Sequence, residues 1–127
     1  MPDVVELSIP AKPELLSLAR LAVAAVAARA DFDLEEIEDL RLALDELCSP
    51  LLASGATGTL HLCYEWSLGA LRVECTLSGT KPVPVDDTEH ELSNRILDAL
   101  VDDHGSEHDD AMATAWLAKR RRGPDGA

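Results

Sequence analysis

Leu40-Arg41-Leu42-Ala43-Leu44-Asp45-Glu46-Leu47-Cys48-Ser49-Pro50 is a stretch of apolar and acidic residues that runs straight into a proline. Leu40, Leu44 and Leu47, extended by Ile37 before them and Leu51 after, recur at three- and four-residue steps, which lines them along one stripe of a helix. Glu35, Glu38, Asp39, Asp45 and Glu46 fall off that stripe, toward solvent or a partner. Asp33 followed three positions later by Glu36 resembles a capping box, in which two side chains satisfy the free amides at a helix start. Pro50 has no amide and, inside a helix, meets the carbonyl of Glu46, at a cost on the order of 3 kcal/mol unless the helix ends there.

Upstream, Val4, Val5, Leu7 and Ile9 form a partly alternating run closed by Pro10 and Pro13, a first strand over about residues 4–9. Pro13 suits the first turn of a helix, and Leu15, Leu18, Ala19, Ala22, Val23 and Val26 mark its apolar face through Arg29. Downstream, after the loop Ser54 to Gly58, Leu60, Leu62, Tyr64 and Trp66 alternate with polar residues, and Leu71, Val73, Cys75 and Leu77 do so again. A two-residue turn at Leu68-Gly69 places Trp66 opposite Leu71, Tyr64 opposite Val73 and Leu62 opposite Cys75 on the buried side. Cys63 then faces the other way and does not bridge to Cys75.

Lys81 to Glu91, with two prolines and a cluster of acids, is expected to be a loop. A third helix follows, with Leu92, Ile96, Ala99, Leu100 and Val101 inward. His104 to Asp110 is expected to turn, Ala111 to Ala118 to form the last strand ahead of Lys119-Arg120-Arg121-Arg122, and Gly123 to Ala127 to be a disordered tail. The order strand, helix, helix, strand, strand, helix, strand predicts an α/β (α+β) two-layer sandwich, helices on one face of a mostly antiparallel sheet, as a single domain over residues 1–122.

The chain has 127 residues, 46% of them hydrophobic, enough for one core without metal or disulfide staples. No run approaches the roughly 18 apolar residues of a membrane span, and Met1 to Pro10 lacks an export signal, so a cytoplasmic domain is expected. The net charge of −13 argues against direct nucleic-acid binding and suits either simple solubility or a basic protein partner. Cys48, Cys63 and Cys75 carry no Cys-x-x-Cys pair and no histidine at ligand spacing, so no metal site is expected. His61, His90, His104 and His108 are scattered, and Ser17, Ser49, Ser54, Ser78 and Ser93 have no His-Asp arrangement beside them, which disfavours a hydrolase. Tyr64 and Trp66 read as core, and Arg120 to Arg122 as a solubilising stretch.

The order of elements, with Ile9-Pro10-Ala11-Lys12-Pro13, Ala19-Arg20-Leu21 and Glu36-Ile37-Glu38-Asp39-Leu40-Arg41-Leu42-Ala43-Leu44-Asp45-Glu46-Leu47-Cys48, resembles the anti-sigma-factor serine kinases of the GHKL ATPase superfamily, and most nearly their divergent actinobacterial members. The resemblance covers nearly the whole chain, but its specificity rests on residues 36 to 48. It implies a Bergerat fold, a homodimer, a role in transcription regulation and the stress response, and two partners, a sigma factor and an antagonist protein. Arg20 matches the family arginine that contacts both partners, with Glu14, Leu16 and Ser17 beside it; a surface cation paired with a nearby acid is the plainer role for Arg20.

Catalytic members hold ATP and magnesium with three motifs, and this chain departs from each. A helical glutamate acting as base is followed four residues later by an asparagine that binds magnesium; Glu46 matches the glutamate, but Pro50 stands where the asparagine should be and offers no oxygen. An Asp-x-Gly-x-Gly motif recognises adenine; here Leu77-Ser78-Gly79-Thr80-Lys81 keeps one glycine and lacks the aspartate. A Gly-x-Gly turn that cradles phosphates falls on Glu91-Leu92-Ser93, where an acid repels them. No cofactor is therefore expected, and Glu46 is a vestigial base. The alternative is a serine kinase that phosphorylates its antagonist with ATP and magnesium at an atypical site; a scaffold with an unrelated partner is a third possibility.

Overall fold

The structure is a computed structural model that describes residues 2–52, 57–79, 87–108 and 112–122. The elements run β1 (Asp3–Pro10), a 3-10 turn (Pro13–Leu15), α1 (Leu16–Arg29), α2 (Leu34–Leu52), β2 (Thr59–Ser67), β3 (Ala70–Ser78), α3 (Asp87–Leu100), β4 (Asp103–His108) and β5 (Met112–Arg120). Five strands form one antiparallel sheet in the order β1-β2-β3-β5-β4, and the helices cover one of its faces. The expected two-layer sandwich is therefore the observed one. The loop over 53–56, most of the proline-containing stretch and the tail from 123 lie outside the described residues.

The hairpin register is the expected one: Trp66 pairs with Leu71, Tyr64 with Val73 and Leu62 with Cys75. Gly69 turns the chain at φ 79, a left-handed conformation that costs a glycine little. The inward side chains of the strands meet Ala19, Val23 and Val26 of α1 and Leu40, Leu44 and Leu47 of α2 in one core. Tyr64 is wholly buried there, and its hydroxyl donates to the carbonyl of Ala19 at 3.0 Å, fixing α1 to the sheet. Burial pushes the Tyr64 phenol upward.

The capping box forms as predicted. The amide of Glu36 donates to Asp33 Oδ1 at 2.8 Å, and that of Asp33 to Glu36 Oε1 at 3.2 Å. What the pattern did not reveal is that Glu36 is only 2% exposed, because its other oxygen accepts the amide of Arg122 at 2.9 Å. The chain beyond β5 is thus tied to the start of α2. Asp31, with φ 69, reverses the chain after α1 and pairs with Arg121.

Several expectations are corrected. Residues 103–108 form the edge strand β4 instead of a turn. Its polar composition hid it, as suits an edge: the His104 ring bonds Asp98 Oδ1 at 2.7 Å, and Gly105 leaves room for Trp116, whose ring lies where a Cβ would sit. Helix α3 starts at Asp87, inside the expected loop, and turns Leu97 inward, leaving Leu92 59% exposed and Ala99 exposed as well. On α1 the buried residue is Leu16 rather than Leu18. Helix α2 passes through Pro50 and ends at Leu52, so the proline sits in the last turn, where most carbonyls already lack a helical partner. Strand β5 runs on to Arg120 because Lys119 turns inward and donates to the carbonyl of Leu100 at 2.7 Å.

Candidate functional site

Helix α2 packs between α1 and α3, and two neighbouring carboxylates on it reach in different directions. Asp45 Oδ1 accepts Arg20 Nη1 of α1 at 2.7 Å, with both side chains about one-third exposed. Glu46 Oε2 accepts the hydroxyl of Ser93 of α3 at 3.0 Å. Successive residues on a helix point about 100° apart, so one acidic dipeptide can engage a neighbour on each side.

Glu46, the expected vestigial base, is therefore a hydrogen-bond acceptor at a helix interface. Pro50 lies one turn further along α2 and carries only carbon beyond its backbone. Leu77, at the position of the adenine-recognising acid, is 2% exposed and packed in the core. Gly79 has φ 91 and lies against Gly58, so this glycine serves the crossing of two loop backbones. Glu91, Leu92 and Ser93 lie inside α3, four residues or more past its start, where their amides are directed into the helix and cannot form a bare phosphate cradle. The side chains at these positions do not fit a magnesium-bound nucleotide: the metal has no side-chain oxygen ligand at 50, adenine has no side-chain acceptor at 77, and Ser93 occupies one carboxylate oxygen of Glu46. Among the described residues no group of three or more His, Cys, Asp or Glu is placed to hold a metal.

The expected partner residues lie at the start of α1. Glu14 is exposed in the 3-10 turn, and its carbonyl accepts the exposed hydroxyl of Ser17 at 3.3 Å. Leu16 is 4% exposed and faces the core, so it presents no side-chain surface. Arg20 takes the plainer role of pairing with an acid, yet it keeps a third of its surface open.

Sequence reasoning missed the outer face of α1. Leu18 is 45% and Leu21 66% exposed, and with the exposed Ala25 and Ala28 they make a second apolar stripe at steps of three, four and three residues. Arg20 and Arg29 are the only charged residues in α1, so this stripe carries no charge in a chain of net −13. The signal was in the sequence: Leu18 and Leu21 do not fit on the same helix face as Ala19, Val23 and Val26.

The three cysteines are free thiols. Cys63 is half-buried on the open face of the sheet, and burial, then the nearby Glu6, Glu65 and Glu74, push its thiol upward. Cys48 and Cys75 are fully buried, with their sulfurs 3.3 Å apart.

Among the described residues no helix is long and apolar enough to cross a membrane. Residues 9–121 match the sequence model of the histidine kinase-like ATPase domain. Among curated proteins, the chain is 47% identical over 47 residues to the serine-protein kinase RsbW of Bacillus pumilus, a stretch that covers 37% of this chain and 29% of that protein. It is 50% identical over 46 residues to RsbW of Listeria monocytogenes EGD-e, covering 36% and 29%, and 40% identical over 47 residues to RsbW of Bacillus subtilis, covering 37% and 29%. The chain thus spans under a third of the length of these relatives.

Proposed function

The chain belongs to the family of histidine kinase-like ATPase domains, and from that membership we propose that it is a cytoplasmic anti-sigma factor that acts by binding and not by chemistry. The domain covers a cationic surface of a sigma factor and is released when an antagonist protein competes for the same face. Nucleotide binding and kinase activity are lost.

The observation that carries this function is the Ser93–Glu46 hydrogen bond. A general base needs hydrogen-bond reach to the proton it takes, and Ser93 occupies one of the two carboxylate oxygens of Glu46. Glu46, which the resemblance sets at that base, accepts a hydrogen bond from a serine of α3, with a proline one turn away where the family has a metal ligand. What remains for function is the surface of α1 and its junction with α2. Arg20 gives orientation, the Leu18–Leu21 stripe gives apolar area, and the acids of α2 draw a basic partner in. Electrostatic steering of this kind raises the association rate, whereas apolar burial supplies most of the affinity.

Titration calorimetry with ATP and magnesium, beside a binding assay with the sigma factors of the source organism, tests it. No heat with nucleotide and tight binding to one sigma factor is the expected result. Micromolar nucleotide binding would favour a serine kinase with Glu46 as base, as the names of the RsbW relatives suggest. Binding that survives Arg20→Glu for every sigma factor, or a pull-down free of sigma factors, would replace the proposed partner with an unrelated one.

A further inference from the structure

We infer that Cys48 and Cys75 are a modification site, a buried dithiol that a hydroperoxide converts to an intramolecular disulfide joining α2 to the centre of the sheet. Cys48 Sγ lies 3.3 Å from Cys75 Sγ, although the residues are 27 apart in sequence. Cys75 is on β3, between Leu62 of β2 and Ala115 of β5, so its thiol points from the middle of the sheet at the underside of α2. Two thiols already in contact need to close by little more than an ångström to reach the length of a disulfide bond, about 2.05 Å.

Access comes from the end of α2. Cys48 is two residues before Pro50 and four before the last residue of the helix. Proline leaves the carbonyl of Glu46 without its helical donor, and the carbonyls after it have none in any case, so this is the part of α2 that opens at least cost. Opening exposes Cys48 first, because Cys75 is held by ladders on both sides. Contact with Cys48 and burial push the Cys75 thiol well above its usual range, so Cys75 stays protonated and Cys48, nearer the opening end of α2, is the sulfur that meets the oxidant first.

The chemistry balances with hydrogen peroxide as the hydroperoxide. The Cys48 thiol loses its proton to water, and its sulfur attacks the O–O bond, giving a sulfenic acid and releasing one water after protonation. Cys75 then attacks that sulfur, forming the S–S bond as the hydroxyl leaves with a proton as a second water. The two thiols are oxidised by two electrons, and one peroxide is reduced to two waters. The site is independent of which partner the domain binds.

The test treats the folded full chain and a Cys63→Ser chain with hydrogen peroxide, blocks remaining thiols and maps peptides by mass spectrometry. A Cys48–Cys75 linked peptide, loss of two titratable thiols in the Cys63→Ser chain, and a thermal midpoint raised by about 5 °C or more and reversed by dithiothreitol are expected. Cys48→Ala, a volume-reducing control, removes the linked peptide. Two thiols still free after treatment, sulfinic acid at Cys48 with no bridge, or bridges only between chains would overturn it.

Discussion

Ser93 and Glu46 meet across the α2–α3 interface, with the serine hydroxyl 3.0 Å from a carboxylate oxygen. The contact ties α3 to α2 through two side chains that the family resemblance sets in a phosphate turn and at a base. A hydrogen bond to a charged group, partly open to water, contributes about 1 kcal/mol net. Ser93→Ala is expected to lower unfolding stability by about that much in urea titrations, and to leave calorimetry with ATP and magnesium flat.

Pro50→Asn restores the family's metal ligand by residue type and returns an amide to the last turn of α2. Leu77 and the helical Glu91-Leu92-Ser93 remain as they are, so the adenine acceptor and the phosphate cradle are still missing. The variant is expected to bind no nucleotide up to millimolar concentration; micromolar binding would show that the metal ligand alone had been limiting.

Arg20 and Asp45 form an ion pair about one-third exposed, so water screens it and its share of stability is below about 1 kcal/mol. Arg20→Ala should therefore move the thermal midpoint little. Under the proposed function Arg20 is an interface hot spot, whose loss costs about 1.4 kcal/mol or more, so the same variant should weaken sigma-factor binding at least about tenfold, as read by surface plasmon resonance. Leu21→Asp should act the same way, since Leu21 is 66% exposed and its loss leaves the core intact.

Glu36 holds two backbone amides while 2% exposed. Glu36→Ala leaves those amides of Asp33 and Arg122 without their acceptor and should destabilise the fold by roughly 1–3 kcal/mol. Loss of protection at Arg122 in hydrogen exchange would mark the cause.

Alkaline pH should loosen the domain in a defined direction. The Tyr64 phenol and the Cys75 thiol are both raised in the folded state, from ordinary values of 10.0 and 9.0. Below pH 9 both groups are protonated whether the chain is folded or not, and their contribution is fully present. Above that the unfolded chain releases protons that the folded chain retains, so stability falls as pH rises. Urea midpoints between pH 8 and 11 should decline, and Tyr64→Phe should flatten the decline above pH 10 while lowering the plateau by about 1 kcal/mol through its lost bond to Ala19.

Where one face of an element is buried and the other wet, sequence was enough. The hairpin register, the capping box and the buried α2 stripe follow from alternation, from Asp33 and Glu36, and from three-four spacing. The edge strand β4 was hidden because its inward position His104 is polar and satisfied by Asp98, so no alternation exists to read. Helix α1 misled for the opposite reason: it is apolar on both faces, so Leu18 was counted with the buried stripe although its spacing sets it with Leu21, off the face that Leu16 shares with Ala19, Val23 and Val26. The departures at Pro50 and Leu77 were legible residue by residue. The pairings of Arg20 with Asp45 and of Ser93 with Glu46 were not, since each joins helices that only the packed fold brings together.

Strand β5 follows the other four described strands in sequence yet lies inside the sheet, between β3 and β4. While a ribosome is still making it, β3 has an uncovered flank and β4 has no neighbour to zip onto, so the nascent polypeptide displays sticky backbone edges until Arg120 has cleared the exit tunnel. Those edges are shielded only once β5 has been inserted between them.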